Sequence, residues 1–138
     1  LGFAAVQGRL GWPGIILYLG AIAWTIGYDT IYAHQDREDD ALLGMKSTAL
    51  KFGRATRSWL VLLYSLAWSA ITFAGVAAGA ETMFLLGMVA AGAQLVWQVV
   101  TLNIDDAENC LKRFRSNREF GLIVVAAILL GMLLAATL

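Results

Sequence analysis

Charge is scarce in this chain. Asp, Glu, Lys and Arg together make up 14% of its 138 residues, while 59% are hydrophobic; soluble domains carry about 25% charged residues. That shortfall excludes an ordinary water-soluble domain. Cysteine occurs once, so no disulfide can form within the chain, and Cys110 is expected to be a small packing residue. Histidine also occurs once, at His34, which argues against zinc. The single proline, Pro13, stands at the start of an apolar run, where a missing N–H costs little. No internal repeat or low-complexity stretch is evident.

What fills the chain instead is hydrocarbon. Four apolar runs occupy about 12–33, 59–79, 83–102 and 120–138, each near the ~20 residues that cross a ~30 Å bilayer core as a helix. Spanning segments must satisfy their own backbone hydrogen bonds, so they are helices or closed barrels. These runs lack the alternation of a barrel strand and are apolar all round rather than along one stripe. The expectation is an all-α membrane protein with four transmembrane helices. The first run is too long for a cleaved signal peptide, and no basic segment precedes it.

Net charge is zero, yet the charges are sorted. Arg37, Lys46, Lys51, Arg54 and Arg57 fall in the loop about 34–58; Lys112, Arg113, Arg115 and Arg118 fall in the loop about 103–119; only Arg9 lies elsewhere. Both loops emerge on one side, which the positive-inside rule makes cytoplasmic. Acids interleave these basic residues and no aromatic platform accompanies them, so orientation and headgroup contact are expected rather than nucleic-acid binding. The chain opens at Leu1 in what reads as an external segment, and four helices make a thin wall around a polar cluster. It is expected to be part of a larger bundle.

The polar cluster is acidic. Asp29, Asp36, Glu38, Asp39 and Asp40 fall within a dozen residues beside the first apolar run, a costly arrangement unless something cationic neutralises it. On a continuous helix at ~100° per residue, Asp29, Asp36 and Asp40 lie within roughly 40° of one another. Glu38 points the other way and Asp39 lies off the stripe. Mg²⁺ takes hard oxygen ligands and is commonly held by one or two carboxylates plus substrate phosphates, so the stripe suits a cation bridging to a diphosphate. A calcium loop is a poor match, because its glycine and terminal glutamate are misplaced. The competing expectation is a solvated acidic helix end paired with Arg37, Lys46 and Arg54.

Local signals complete the sequence picture. Gly44 reads as a helix stop, and Gly53 as a break in the amphipathic segment 45–57 before a helix near Ser58. Asp105 and Glu108 have capping-box spacing and are expected as a helix N-cap, with a second metal cluster as the alternative. Gly75 and Gly79 have the small-xxx-small spacing of close helix contacts. Trp24, Tyr28 and Tyr32 are expected as interfacial anchors.

The segment Tyr28-Asp-Thr-Ile-Tyr-Ala-His-Gln-Asp-Arg-Glu-Asp-Asp, followed by Leu43-Gly-Met-Lys-Ser-Thr-Ala, resembles the second aspartate-rich motif of the UbiA superfamily of intramembrane prenyltransferases. The later Asn109-Cys-Leu-Lys-Arg-Phe-Arg-Ser-Asn resembles the last cytoplasmic loop of its 4-hydroxybenzoate branch. The resemblance extends over 1–138 and implies a partial transmembrane prenyltransferase domain, the C-terminal four helices of a nine-helix bundle. It implies that Asp36 and Asp40 bind Mg²⁺ and the isoprenoid diphosphate, that Asp29 is a further catalytic and metal-binding carboxylate, and that Lys46 helps bind diphosphate. His34 stands where the family pattern suggests Met and is expected to face away from the stripe. The first aspartate-rich motif of the family does not occur here, so these residues supply half of a metal site and are expected to be inactive alone.

The implied activity is Mg²⁺-dependent transfer of a polyprenyl group from polyprenyl diphosphate to 4-hydroxybenzoate in ubiquinone biosynthesis. The implied location is a bacterial inner membrane, or the mitochondrial inner membrane in a eukaryote. Another aromatic acceptor, or half of an ion-coupled transporter, remains an alternative from sequence alone.

Overall fold

A computed structural model describes Gly8 and residues 11–137, apart from the Ala135 side chain. Arg9 and most of the expected external N-terminal segment lie outside the described residues, as does Leu138. Among the described residues all regular structure is helical. The elements are α1 (Trp12–Gln35), α2 (Arg37–Leu42), α3 (Thr48–Phe52), a 3-10 turn (Gly53–Ala55), α4 (Thr56–Ala77), α5 (Thr82–Thr101), α6 (Ala107–Arg115) and α7 (Asn117–Thr137). Four helical stretches, containing α1, α4, α5 and α7, are long and apolar enough to cross a membrane.

The long helices alternate in direction. α1 packs mainly on α4 and α5 mainly on α7, with α4 joining the two pairs. Tilted Trp24 and Phe120 rings, 4.9 Å apart, bring α1 to the start of α7. The short helices α2, α3 and α6 gather at one end, and the tight turn around Ala80–Glu81 lies at the other.

Apolar burial cannot drive helices together inside lipid, so close packing and polar bonds must. The residues sort accordingly. Leu62, Leu66, Phe73, Leu86, Val89, Leu129 and Leu133 face outward, while Ala67, Ala74, Ala91 and Ala127 are buried. Gly27 of α1 lies against the Tyr64 ring of α4, and Gly87 of α5 against Ala127 of α7, with no room for a Cβ in either place. Replacing Gly27 with leucine should push α1 off α4 and cost about 1–3 kcal/mol, read as a lower unfolding midpoint in detergent; an unchanged midpoint would refute this contact.

Gly75 and Gly79 do not form the expected helix-contact pair. Gly75 is the seat of the buried Phe84 ring. Gly79 has open space around it and ends α4 with φ +89°, in a turn where the Ala80 amide reaches back to the Gly75 carbonyl (2.9 Å). Spacing alone does not reveal that one glycine serves packing and the other a left-handed cap.

A polar knot lies between all four long helices. The Trp24 indole N–H donates to Asn117 Oδ1 (2.8 Å), and Asn117 Nδ2 donates to Gln98 Oε1 (3.0 Å). The buried Tyr64 hydroxyl donates to Gln98 Oε1 at 3.1 Å. Gln98 Nε2 bonds Gln94 Oε1 (2.9 Å), whose own Nε2 reaches the Ser116 carbonyl (2.8 Å). An indole N–H can only donate, so the Asn117 amide orientation follows from its neighbour.

Candidate functional site

The acidic segment begins as the tail of a span. α1 runs unbroken through Asp29 to Gln35, and Asp36 interrupts it with φ −106° and ψ 13°. The Asp40 N–H then bonds the Asp36 carbonyl at 2.8 Å, so these two residues stand one helical turn apart. The continuous three-carboxylate stripe expected from an ideal helix is therefore broken. Asp36 and Asp40 stay on consecutive turns, while Asp29 lies across the interruption, exposed on α1. Among the described residues no group of three or more His, Cys, Asp or Glu side chains is placed to hold a metal.

α2 closes with a Schellman turn: Met45 N–H bonds Asp40 O (2.9 Å), Gly44 N–H bonds Ala41 O (3.3 Å), and Gly44 takes φ +68°. That conformation accounts for glycine here, as the sequence suggested. The turn folds the chain back on the Asp40 end and delivers exposed Lys46 directly after it. Ser47 then caps α3 by accepting from Leu50 N–H (3.2 Å). Gly53, φ +49°, ends α3 and opens the 3-10 turn, and α4 starts at Thr56, near Ser58 as expected.

The expected basic partners go elsewhere. Arg37 and Arg54 both pair with Asp105, at 3.3 Å each, and among the described residues Asp29, Asp36, Asp40 and Lys46 take part in no ion pair. The solvated-pairing alternative thus fails for Arg37 and Arg54. Glu38 and Asp39 are exposed. The proposed capping role of Asp105 is also corrected: Asp106 caps α6, its side chain accepting from Asn109 N–H at 3.1 Å, and Glu108 pairs with Lys112. Capping-box spacing one residue out of phase concealed Asp105 as an arginine partner.

His34, expected only to face away from the acids, is buried and has a structural partner. Its Nε2 lies 2.8 Å from Thr56 Oγ1. The Thr56 hydroxyl donates to the Gly53 carbonyl (2.7 Å), so Nε2 carries the proton in this bond. The contact ties the end of α1 to the start of α4, and the Thr30 and Thr48 hydroxyls share a second bond (2.9 Å) from α1 to α3. Cys110 is fully buried, a packing residue as expected.

On the other flank an aromatic ladder climbs α1. Trp24 meets Tyr28 edge-on at 5.4 Å, and Tyr28 and Tyr32 both meet Phe114 of α6, at 5.9 and 4.8 Å. Trp24, Tyr28, Phe114, Arg115, Asn117 and Arg118 line a cleft of about 320 Å³. The aromatic residues expected as interfacial anchors thus form one wall between α1 and α6, offering π faces beside guanidinium groups.

Chemically, Asp36 and Asp40 offer hard anionic oxygens, one turn apart and free of ion pairs among the described residues. That donor set fits Mg²⁺, which takes one or two carboxylates and fills its remaining positions with water and phosphate oxygens. The missed signals were polar residues inside apolar runs. Gln94 and Gln98 at i,i+4, with Tyr64, mark where the spans converge; intramembrane polar groups ordinarily face a bundle interior.

The model of the UbiA prenyltransferase family matches residues 1–123. Curated relatives include proteins named 4-hydroxybenzoate polyprenyltransferase, mitochondrial. The one from Bos taurus is 44% identical over 99% of this chain and 37% of its own length. That from Homo sapiens is 43% identical over 96% of this chain and 36% of its own. The Dictyostelium discoideum protein is 41% identical over 96% of this chain and 29% of its own. The chain therefore spans about a third of the length of these relatives. No solved structure matches it.

Proposed function

This chain belongs to the UbiA prenyltransferase family, and on that premise we propose that the complete protein transfers a polyprenyl group from polyprenyl diphosphate to 4-hydroxybenzoate, a step in ubiquinone biosynthesis. The observation that carries the reading is the Asp36–Asp40 pair: two carboxylates on consecutive turns, just beyond a span, with the neighbouring arginines bound elsewhere. The relatives' names support a polyprenyl group, 4-hydroxybenzoate and a mitochondrial location; the inner membrane, mitochondrial or bacterial, is part of the proposal. The family match leaves the transporter alternative without support.

In this reading Asp36 and Asp40 hold Mg²⁺, with Asp29 a further carboxylate nearer the membrane. Magnesium, when bound, supplies the positive charge that lets an allylic diphosphate leave. Lys46 adds a cation toward the diphosphate oxygens. Trp24, Tyr28 and Phe114 present π faces that suit a developing carbocation or an aromatic acceptor, and Arg115 and Arg118 suit the acceptor's carboxylate. The phenol ring attacks ortho to its hydroxyl: the new C–C bond replaces the allylic C–O bond, diphosphate departs, and the ring proton is lost to restore aromaticity. Helices beyond these residues, carrying the first aspartate-rich motif, would complete the site. The charge of the basic loops supports the cytoplasmic or matrix side for this end of the bundle.

The test is full-length protein in liposomes, supplied with a polyprenyl diphosphate and 4-hydroxybenzoate. Prenylated hydroxybenzoate should form with Mg²⁺, vanish with EDTA and return when Mg²⁺ is restored in excess. Undiminished turnover in EDTA would remove the metal from this reading. No product with 4-hydroxybenzoate, but product with another phenol, would shift the acceptor.

A further inference from the structure

The segment carrying Asp36 and Asp40 is held in place by little. α2 contains no buried residue, and the backbone bonds closing its turns stay among residues 36–45. Among the described residues, its one side-chain bond to the rest of the chain runs from Arg37 Nη2 to Asp105 Oδ1, at 3.3 Å. Arg37 follows Asp36 directly and precedes Asp40 by three, a spacing at which a guanidinium can pair along its own helix. It turns to Asp105 instead, and its side chain is 29% exposed, against 87% for Arg54 on the second Asp105 oxygen.

Asp105 is itself presented by a pinned loop. Its N–H donates to Asn103 Oδ1 (3.1 Å), and the Asn103 N–H donates to Asn109 Oδ1 (2.8 Å). Asn109 Nδ2 holds the Thr101 carbonyl (3.1 Å), and Arg57 Nη2 holds the Leu102 carbonyl (2.8 Å). The carboxylate is thus a fixed anion set opposite the one cation that sits between the two motif aspartates. An ion pair this exposed adds little to stability; its consequence is where the positive charge goes.

Resting on the reading of Asp36 and Asp40 as divalent-cation ligands, we infer that Asp105 is a positioning residue for that site. It draws the Arg37 guanidinium off the two aspartates, keeping both open to a cation, and it anchors α2 from the loop between α5 and α6. Arg54, far more exposed, shares the same carboxylate through its second oxygen.

Mn²⁺ is the probe, titrated into full-length protein in nanodiscs with free ion followed by electron paramagnetic resonance. Asp105→Asn should raise the half-saturating Mn²⁺ concentration about fivefold, as a released guanidinium settles roughly 4 Å from the carboxylates. Adding Arg37→Gln to that variant should restore binding to within about twofold of the unmodified protein. Prenyl transfer by Asp105→Asn should likewise recover at high Mg²⁺. Unchanged Mn²⁺ binding in Asp105→Asn would overturn the inference, as would a deficit that neither Arg37→Gln nor excess metal repairs. Asp36→Asn is the separate control: wild-type Mn²⁺ binding there would overturn the cation reading itself, and the role of Asp105 with it.

Discussion

Asp36→Asn in the complete protein is expected to lower Mg²⁺-dependent prenyl transfer by roughly a hundredfold or more, the scale seen when one charge-stabilising group is removed from a reacting centre. Asparagine keeps the shape of the side chain and the turn it occupies, while replacing one carboxylate oxygen with an uncharged NH2. Asp36 is exposed and makes no ion pair among the described residues, so the substitution disturbs no packing. Membrane insertion and thermal midpoint should stay as in the unmodified protein. Glu38→Gln, two residues away and also exposed, is the matched control and should keep its activity. Near-normal turnover of Asp36→Asn would exclude this carboxylate as a metal ligand.

The second large effect concerns stability. Asn117→Leu is close to isosteric, yet it removes the acceptor of the Trp24 indole N–H and a donor to Gln98. It also removes the Asn117 Nδ2 bonds to the Arg113 and Phe114 carbonyls, 3.2 and 3.3 Å, though Ser116 still donates to both. An orphaned buried group costs about 1–3 kcal/mol, and interhelical hydrogen bonds in bilayers average nearer ~0.6 kcal/mol because the separated helices find other partners. The combined loss should be about 2–3 kcal/mol, read as a reduced unfolding free energy in mixed detergent micelles. A loss below about 0.5 kcal/mol would show that the knot is dispensable. Because Asn117 also lines the aromatic cleft, activity measured on the folded fraction separates the stability effect from any change in the site.

Much of the site was legible because its signals are local. The Asp36–Asp40 spacing survives because four residues make one turn whatever lies around them. Gly44 and Gly53 were readable as breaks because a left-handed backbone favours glycine independently of packing. Burial of Cys110 follows from the scarcity of other roles for a lone cysteine. The failures came where a neighbour in space, rather than in sequence, chose the role. Asp105 and Asp106 are both plausible caps for α6, and the arginines from the first loop claim Asp105. Gly75 and Gly79 share a motif spacing, but the Phe84 ring needs only Gly75. The stripe including Asp29 assumed a continuous helix, and the interruption at Asp36 ends it.

The amino-acid sequence by itself determined that these residues hold four helical membrane spans with an acidic segment at one end, because hydrocarbon run length and the period of a helix are properties of consecutive residues. Which carboxylates remain open was decided only by the tertiary structure. Arg37 and Arg54, two of the cations that could neutralise Asp36 and Asp40, lie close by in sequence, and folding brings Asp105 from the far loop, 68 residues after Arg37, to hold both instead. The same holds for Trp24, Tyr64, Gln98 and Asn117, ordinary polar punctuation in four separate runs until helix packing excludes both water and lipid and leaves them only one another.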